Sequence, residues 1–164
     1  MKGRRIIGID PGYAIVGWGI LDFNGNRFGV VDYGAITTGP ELEFSHRLGM
    51  IYDRLSAILE QYSPDSMGIE KLYFTKNVTT GIDVAQARGV TLLAGQRRGL
   101  SVGEYTPLQV KQAVVGYGKA EKEQVMYMTK TLLGLPALPK PDDVADALAV
   151  AICHAHSATS IRSR

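Results

Sequence analysis

The feature that most restricts the fold is a change of period near residue 40. Upstream of it lie three apolar runs of strand character, "RRIIGID" (4–10), "YAIVGWGILDF" (13–23) and "RFGVVDYGAIT" (27–37). Asn24-Gly25-Asn26 separates the second from the third and is a strong hairpin signal, since Asn and Gly accept the backbone angles of a tight turn. Three antiparallel strands in sequence are expected. Downstream, Leu48, Ile51, Tyr52, Leu55, Ile58 and Leu59 recur at intervals of three and four. That spacing predicts an amphipathic helix over 43–62.

The rest of the chain alternates. "SPDS" ends the helix, and "MGIE" reads as a short buried strand closing on Glu70. Residues 71–80 read as a loop carrying aromatics and lysines, with a helix rich in small residues over 81–97, stopped by Gly99. Val84, Ala85, Ala87, Val90, Thr91 and Ala94 suit close helix pairing, as a dimer seam or as core. "LSVGEY" is a further strand, Pro107 opens a helix broken by Gly116 and Gly118, and "KAEKEQVMYMTKTLLG" is helical. A rigid "LPALPKP" connector leads to a last helix from Asp142. The order implies an α/β fold: a mixed sheet, three antiparallel strands followed by parallel strands, flanked by helices. One domain over 1–157 is expected, with a flexible tail at 158–164.

At 164 residues the chain can bury a sizeable core, and its 45% hydrophobic and 21% charged content is ordinary for a globular domain. No apolar run reaches the length of a membrane span, and no signal-peptide pattern opens the chain, so no membrane partner is expected. The single cysteine, Cys153, excludes an internal disulfide and suits a reducing, cytoplasmic setting. It lies in "ADALAVAICHA", the place of an inert core thiol. Charge is uneven beneath a net +2. Residues 32–70 carry seven acidic and two basic side chains, and 71–130 carry nine basic and four acidic. Gathered on one face, the second set would attract a polyanion.

Two strands end on carboxylates, Asp10 and Glu70, where an unpaired charge is costly to bury. Asp143 and Asp146 lie three apart on the last helix and share a face, among alanines that permit close packing. Each acid has a structural reading. Asp10 could cap the Pro11-Gly12 turn, Glu70 could pair with Lys71, and Asp142 could be an N-cap with Asp143 opposing the helix dipole. Taken together, convergent carboxylates repel one another, and a divalent cation is the simple remedy. Oxygen ligands favour magnesium or manganese over zinc. His46 stands alone, and His154 and His156 suit the covering of a helix end.

"GIDPG", "IEKLYFTKN", "QARG", "YTPLQVKQAVVGYGKAEKEQV" and "DDVADALAVAICH" together resemble the RuvC-type Holliday junction resolvases of bacteria, in the family's order, over about residues 5 to 157. The resemblance implies an RNase H-like fold and a homodimer that cuts two opposed strands of a four-way DNA junction, for recombination and repair. It implies 5′-phosphate and 3′-hydroxyl ends, two Mg²⁺ ions per site (Mn²⁺ as a substitute), and work beside the RuvA–RuvB branch-migration complex. By motif the catalytic and metal-binding carboxylates are Asp10, Glu70, Asp143 and Asp146. Spacing leaves Asp142 open beside Asp143, because Asp142 lies four residues before Asp146. Lys111 and Lys122 resemble the family's functional lysines, and Lys119 is a further basic neighbour. Tyr73 falls where the family places an aromatic that stacks at the junction centre; Lys76, Asn77 and Arg88 fall among backbone contacts. Without the resemblance, the lysines read as a solvated helix face and Tyr73 as core.

Two other classes remain open on residues alone. An ATPase of the actin and sugar-kinase type also sets an Asp and Gly beside a first hairpin, but this chain is short for two lobes. A non-catalytic nucleic-acid module would use the basic segment and leave the four acids unexplained.

Overall fold

The computed structural model describes residues 3–72 and 78–161. Its strands are β1 (Arg4–Asp10), β2 (Ile15–Phe23), β3 (Phe28–Thr37), β4 (Ser66–Glu70) and β5 (Ser101–Tyr105). Its helices are α1 (Phe44–Tyr62), α2 (Val78–Arg97), α3 (Pro107–Val115), α4 (Lys122–Leu133) and α5 (Asp142–Ile161). The five strands form one sheet in the order β3-β2-β1-β4-β5. β1, β2 and β3 pair antiparallel, while β4 and β5 add parallel strands on the other side of β1. The meander with parallel extensions is therefore the sheet expected from the sequence.

Local chemistry explains the boundaries. Gly25 has a positive φ of 98° in the β2–β3 turn, and Asn24 Oδ1 accepts from Arg27 N at 3.0 Å. Thr106 and Gln109 form a reciprocal capping box with Pro107 at the start of α3, and Gly116 ends that helix in the left-handed region. One expectation is corrected. α2 already includes Val78, Thr79 and Thr80, which the sequence placed in the preceding loop, because a helix of this length propagates through residues of modest helix preference at little further cost. α5 is helical through Ile161.

The sheet separates two cores. Ile7, Ile9, Val16, Trp18 and Ile20 face α1 and α2 together with Ile51, Leu55, Ala87 and Ala94. Ala87, Thr91 and Ala94 are buried, so this stripe of α2 is core, while Ile82 and Leu93 are exposed. Ile6, Leu21 and Phe23 face α5, which α3 and α4 cover in turn. α5 is buried on nearly every side from Val144 to Ala155, which is why that stretch is almost continuously apolar.

A row of glycines lets α5 lie this close. Gly19, Gly8, Gly68 and Gly103 are register partners across β2, β1, β4 and β5. A Cβ on Gly8 would collide with the carbonyl oxygen of Ala147, one on Gly19 with Leu148, and one on Gly68 with His154. The helix rests on bare backbone. Cys153 is buried with its thiol pushed up to about 11 by burial, as befits an inert core residue. His154 is bonded between Ser66 Oγ (2.8 Å) and the Tyr105 hydroxyl (2.6 Å), and His156 packs edge-on against Phe23 and Phe28. Among the described residues, no helix is long and apolar enough to cross a membrane.

Candidate functional site

β1 and β4 are parallel neighbours with Ile9 opposite Ile69, so Asp10 and Glu70 leave the sheet at the same end and level. Each lies two residues beyond a glycine of the row and therefore shares the face that carries α5. The first turn of α5 crosses this corner. Gly17, the register partner of Asp10, has no Cβ, and one there would strike the Asp143 carbonyl. That close approach brings the Asp143 side chain into a hydrogen bond with Asp10. Asp146 follows one turn later. Asp142 is turned instead to Lys140, whose Nζ lies 3.1 Å from Asp142 Oδ1.

The electrostatics of the corner follow from crowding. Asp10 is pushed up to about 8, first by burial, then by the charges of Asp146, Asp143 and Glu70 and by the bond to Asp143. Glu70 is raised by burial and by Asp146, with Lys111 and Lys122 opposing. Asp146 is raised by burial and by Asp143 and Asp142, against the pull of Lys122. Lys122 Nζ stands 3.7 Å from Asp146 Oδ2, a long and partly solvated contact.

Two hollows meet at Glu70. One, about 260 Å³, is lined by Glu70, Asp146, Lys111 and Lys122 over an apolar floor including Val110 and Val125. The other, about 230 Å³, is lined by Asp10, Pro11, Glu70, Lys71, Val84 and Pro107. Lys111 comes from α3 and Lys122 from the start of α4, so the basic segment does present cations to the acidic corner. Lys119 is exposed in the turn between those helices. Arg88 is turned inward, its side chain 12% exposed and bonded to the Glu70 carbonyl and to Glu104. Tyr73, Lys76 and Asn77 lie outside the described residues.

Sequence reasoning gives Lys71 only an ion-pair role and passes over Arg47 entirely. Arg47 is buried on α1, donates from Nε to Thr38 Oγ1 (2.8 Å) and from Nη2 to the Thr38 carbonyl (3.1 Å), and lies 4.9 Å from the Tyr13 ring centre. It braces the segment that follows Asp10-Pro11-Gly12. An arginine among the apolar positions of an amphipathic helix is the one sequence signal that could have found it.

The donor set is all carboxylate oxygen, and its mutual repulsion is the kind a hard divalent cation offsets. Among the described residues, no group of three or more Asp, Glu, His or Cys side chains lies close enough together, as placed, to hold a metal ion. The set fits such an ion by chemistry and by shared charge.

A family model described as crossover junction endodeoxyribonuclease RuvC matches residues 6–154. The chain belongs to the RuvC family. It is 55% identical over 152 residues to the crossover junction endodeoxyribonuclease RuvC of Ruminiclostridium cellulolyticum, covering 93% of this chain and 92% of that one. To the protein of the same description from Clostridioides difficile it is 57% identical over 152 residues, covering 93% and 90%. Among solved structures, Thermus thermophilus RuvC in complex with Holliday junction substrate superimposes with a TM-score of 0.91 at 33% identity, covering 96% of each chain. The expected RNase H-like fold is thereby borne out, and the chain is a member of an endodeoxyribonuclease family.

Proposed function

We propose that this chain resolves four-way DNA junctions by paired, symmetric, metal-dependent cuts in two opposed strands, leaving 5′-phosphate and 3′-hydroxyl ends. The observation that carries the reading is the meeting of Asp10, Glu70, Asp143 and Asp146 at one end of the sheet, with Asp10 bonded to Asp143 and raised by the other acids. The relative solved with a Holliday junction substrate supports the choice of DNA.

Asp10, Glu70, Asp143 and Asp146 would hold the metal, Mg²⁺ with Mn²⁺ as substitute. Bound there, it would supply activation of a water and charge stabilisation at the departing 3′ oxygen. The protein's own contribution is placement. β1 and β4 present Asp10 and Glu70 on rigid strand ends, and the glycine contact with α5 sets Asp143 and Asp146 against them. Lys111 and Lys122 line the same hollow as Glu70 and Asp146 and oppose negative charge that grows on the phosphate. Tyr73 would stack on a base at the junction centre, beside Lys76 and Asn77 on the backbone, with Lys119 as a peripheral contact.

A junction presents two equivalent strands, so a twofold homodimer would offer two sites at once. The exposed Ile82 and Leu93, on α2's face away from the sheet, support that helix as the seam. Family membership supports partnership with RuvA and RuvB and a cytoplasmic setting.

The test is cleavage of a synthetic four-way junction beside a linear duplex of the same arms, with and without Mg²⁺. Paired nicks at symmetry-related positions of the junction, abolished by EDTA and sealed by ligase, are expected. Equal cutting of the duplex, or no dependence on a divalent ion, would overturn the assignment.

A further inference from the structure

The family resemblance puts Arg88 among the residues that touch the DNA backbone, and its surroundings say otherwise. Arg88 lies on α2 one turn beyond Val84, which lines the hollow shared by Asp10 and Glu70. Its Nε donates to the main-chain carbonyl of Glu70 at 3.2 Å, and its Nη2 is paired with the carboxylate of Glu104 on β5. The guanidinium side chain is 12% exposed, against 44% for Glu104. A guanidinium grips a phosphate best through two parallel N–H groups, and here Nε and Nη2 are both taken. This one is committed.

The carbonyl it holds lies where the sheet runs out of donors. β1 is followed by Pro11, which has no N–H. β5 is followed by Thr106, whose N–H is taken by Gln109 Oε1 at 2.8 Å, and then by Pro107. The last ladder bond nearby runs from Lys71 N to the Tyr105 carbonyl at 2.7 Å. Arg88 thus replaces a sheet partner with a charge-assisted bond, while Glu104 fixes the guanidinium from the other side. The cations that offset the Glu70 carboxylate itself are Lys111 and Lys122, so Arg88 bears on Glu70 through its backbone.

We propose that Arg88, held by Glu104, is a positioning residue that fixes the end of β4 and with it the place of the Glu70 carboxylate, and does not contact a DNA phosphate. This rests on the nuclease reading of Glu70 above. Small misplacements of a reacting group are expensive, up to about 10²-fold for about 1 Å.

The experiment compares wild type, Arg88→Gln, Arg88→Lys and Glu104→Gln, measuring junction affinity across a salt series and single-turnover cleavage at saturating enzyme with Mg²⁺. For Arg88→Gln we expect cleavage to fall about tenfold or more, with affinity within about twofold of wild type and an unchanged salt slope. Arg88→Lys, keeping a donor, should recover part of the rate. Glu104→Gln should also slow cleavage, although it removes a negative charge and leaves binding no weaker. A phosphate contact gives the opposite pattern. Arg88→Gln would then weaken binding and lower the salt slope by about one, with the rate at saturation retained, and Glu104→Gln would tighten binding. That result overturns the proposal. If Arg88→Gln does not fold, Glu104→Gln decides alone, and an unchanged cleavage rate sinks the idea. Failure of wild type itself to cut the junction speaks against the nuclease reading, a separate outcome visible in the same assay.

Discussion

The carboxyl group of Asp10 at the end of β1 is hydrogen-bonded to that of Asp143 in the first turn of α5. Two carboxylates share such a bond only when one carries a proton, and burial beside Asp146 and Glu70 makes Asp10 the one that does. An amide at position 10 keeps a donor for Asp143 and spares the folded chain the cost of taking up a proton there. Asp10→Asn should therefore abolish cleavage, leave junction binding intact, and raise the melting temperature of the protein in EDTA. Added Mg²⁺ should stabilise wild type, by mass action on the folded state, more than the variant. Thermal melts with and without Mg²⁺ check both points, and a variant that still cuts junctions removes Asp10 from the site.

Two of the four acids were legible in the residues themselves, for a physical reason. Asp10 and Glu70 each interrupt an apolar run at its end, and acids in such places need partners. The meander was legible because Asn24-Gly25 states its own turn. What could not be read is whatever depends on register. Gly8, Gly19, Gly68 and Gly103 look like scattered glycines until pairing sets them in one row beneath α5. Arg88 has the charge of a phosphate contact, and only the end of β4 and Glu104 reveal its use. Asp142 and Asp143 are equivalent by spacing, and differ because one is turned to Lys140 and the other to Asp10.

Lys122 tests whether charge at the corner serves the reaction or the fold. Its contact with Asp146 is 3.7 Å, and the lysine side chain is 58% exposed. Exposed pairs of this kind are worth at most about 0.5–1 kcal/mol. Lys122→Ala should change the stability to urea by no more than that. Cleavage should fall by about tenfold or more, since the cation faces the hollow shared with Glu70 and Lys111. Lys111→Ala should behave alike. Equal loss of stability and activity would make both lysines structural.

The glycine contacts give a prediction about packing. Gly17→Ala would drive a methyl group into the Asp143 carbonyl, and Gly8→Ala into that of Ala147, where backbone meets backbone and neither can step aside. Overpacking of this sort costs about 1–3 kcal/mol or more. Gly17→Ala should also impair activity beyond its stability cost, because it pushes Asp143 from Asp10. Gly49 is the control: it sits inside α1 with nothing within 4 Å of an added Cβ. Gly49→Ala should stabilise by about 0.5–1 kcal/mol, as alanine does in a helix interior. Chemical denaturation of the three variants orders them, and a tolerated Gly8→Ala contradicts the close approach of α5.

His154 sets a pH limit on the fold. It is buried on α5, with Ser66 Oγ at 2.8 Å from Nε2 and the Tyr105 hydroxyl at 2.6 Å from Nδ1. Burial, with Arg4 adding a like charge, pushes its pKa down from 6.5 to about 4. Between those values the unfolded chain binds a proton that the folded chain refuses. Stability from this group is thus complete above about pH 6.5 and is lost as pH falls toward about 4. At pH 5 the loss relative to pH 7 amounts to about 2 kcal/mol. His154→Asn should start less stable at pH 7, having lost packing and a bond, yet fall less steeply on acidification. Carboxylates titrate alike in both proteins and cancel in the difference. Urea unfolding of wild type and variant at pH 7 and pH 5 measures that difference directly, and parallel losses in the two proteins would show that His154 charges freely in the folded state.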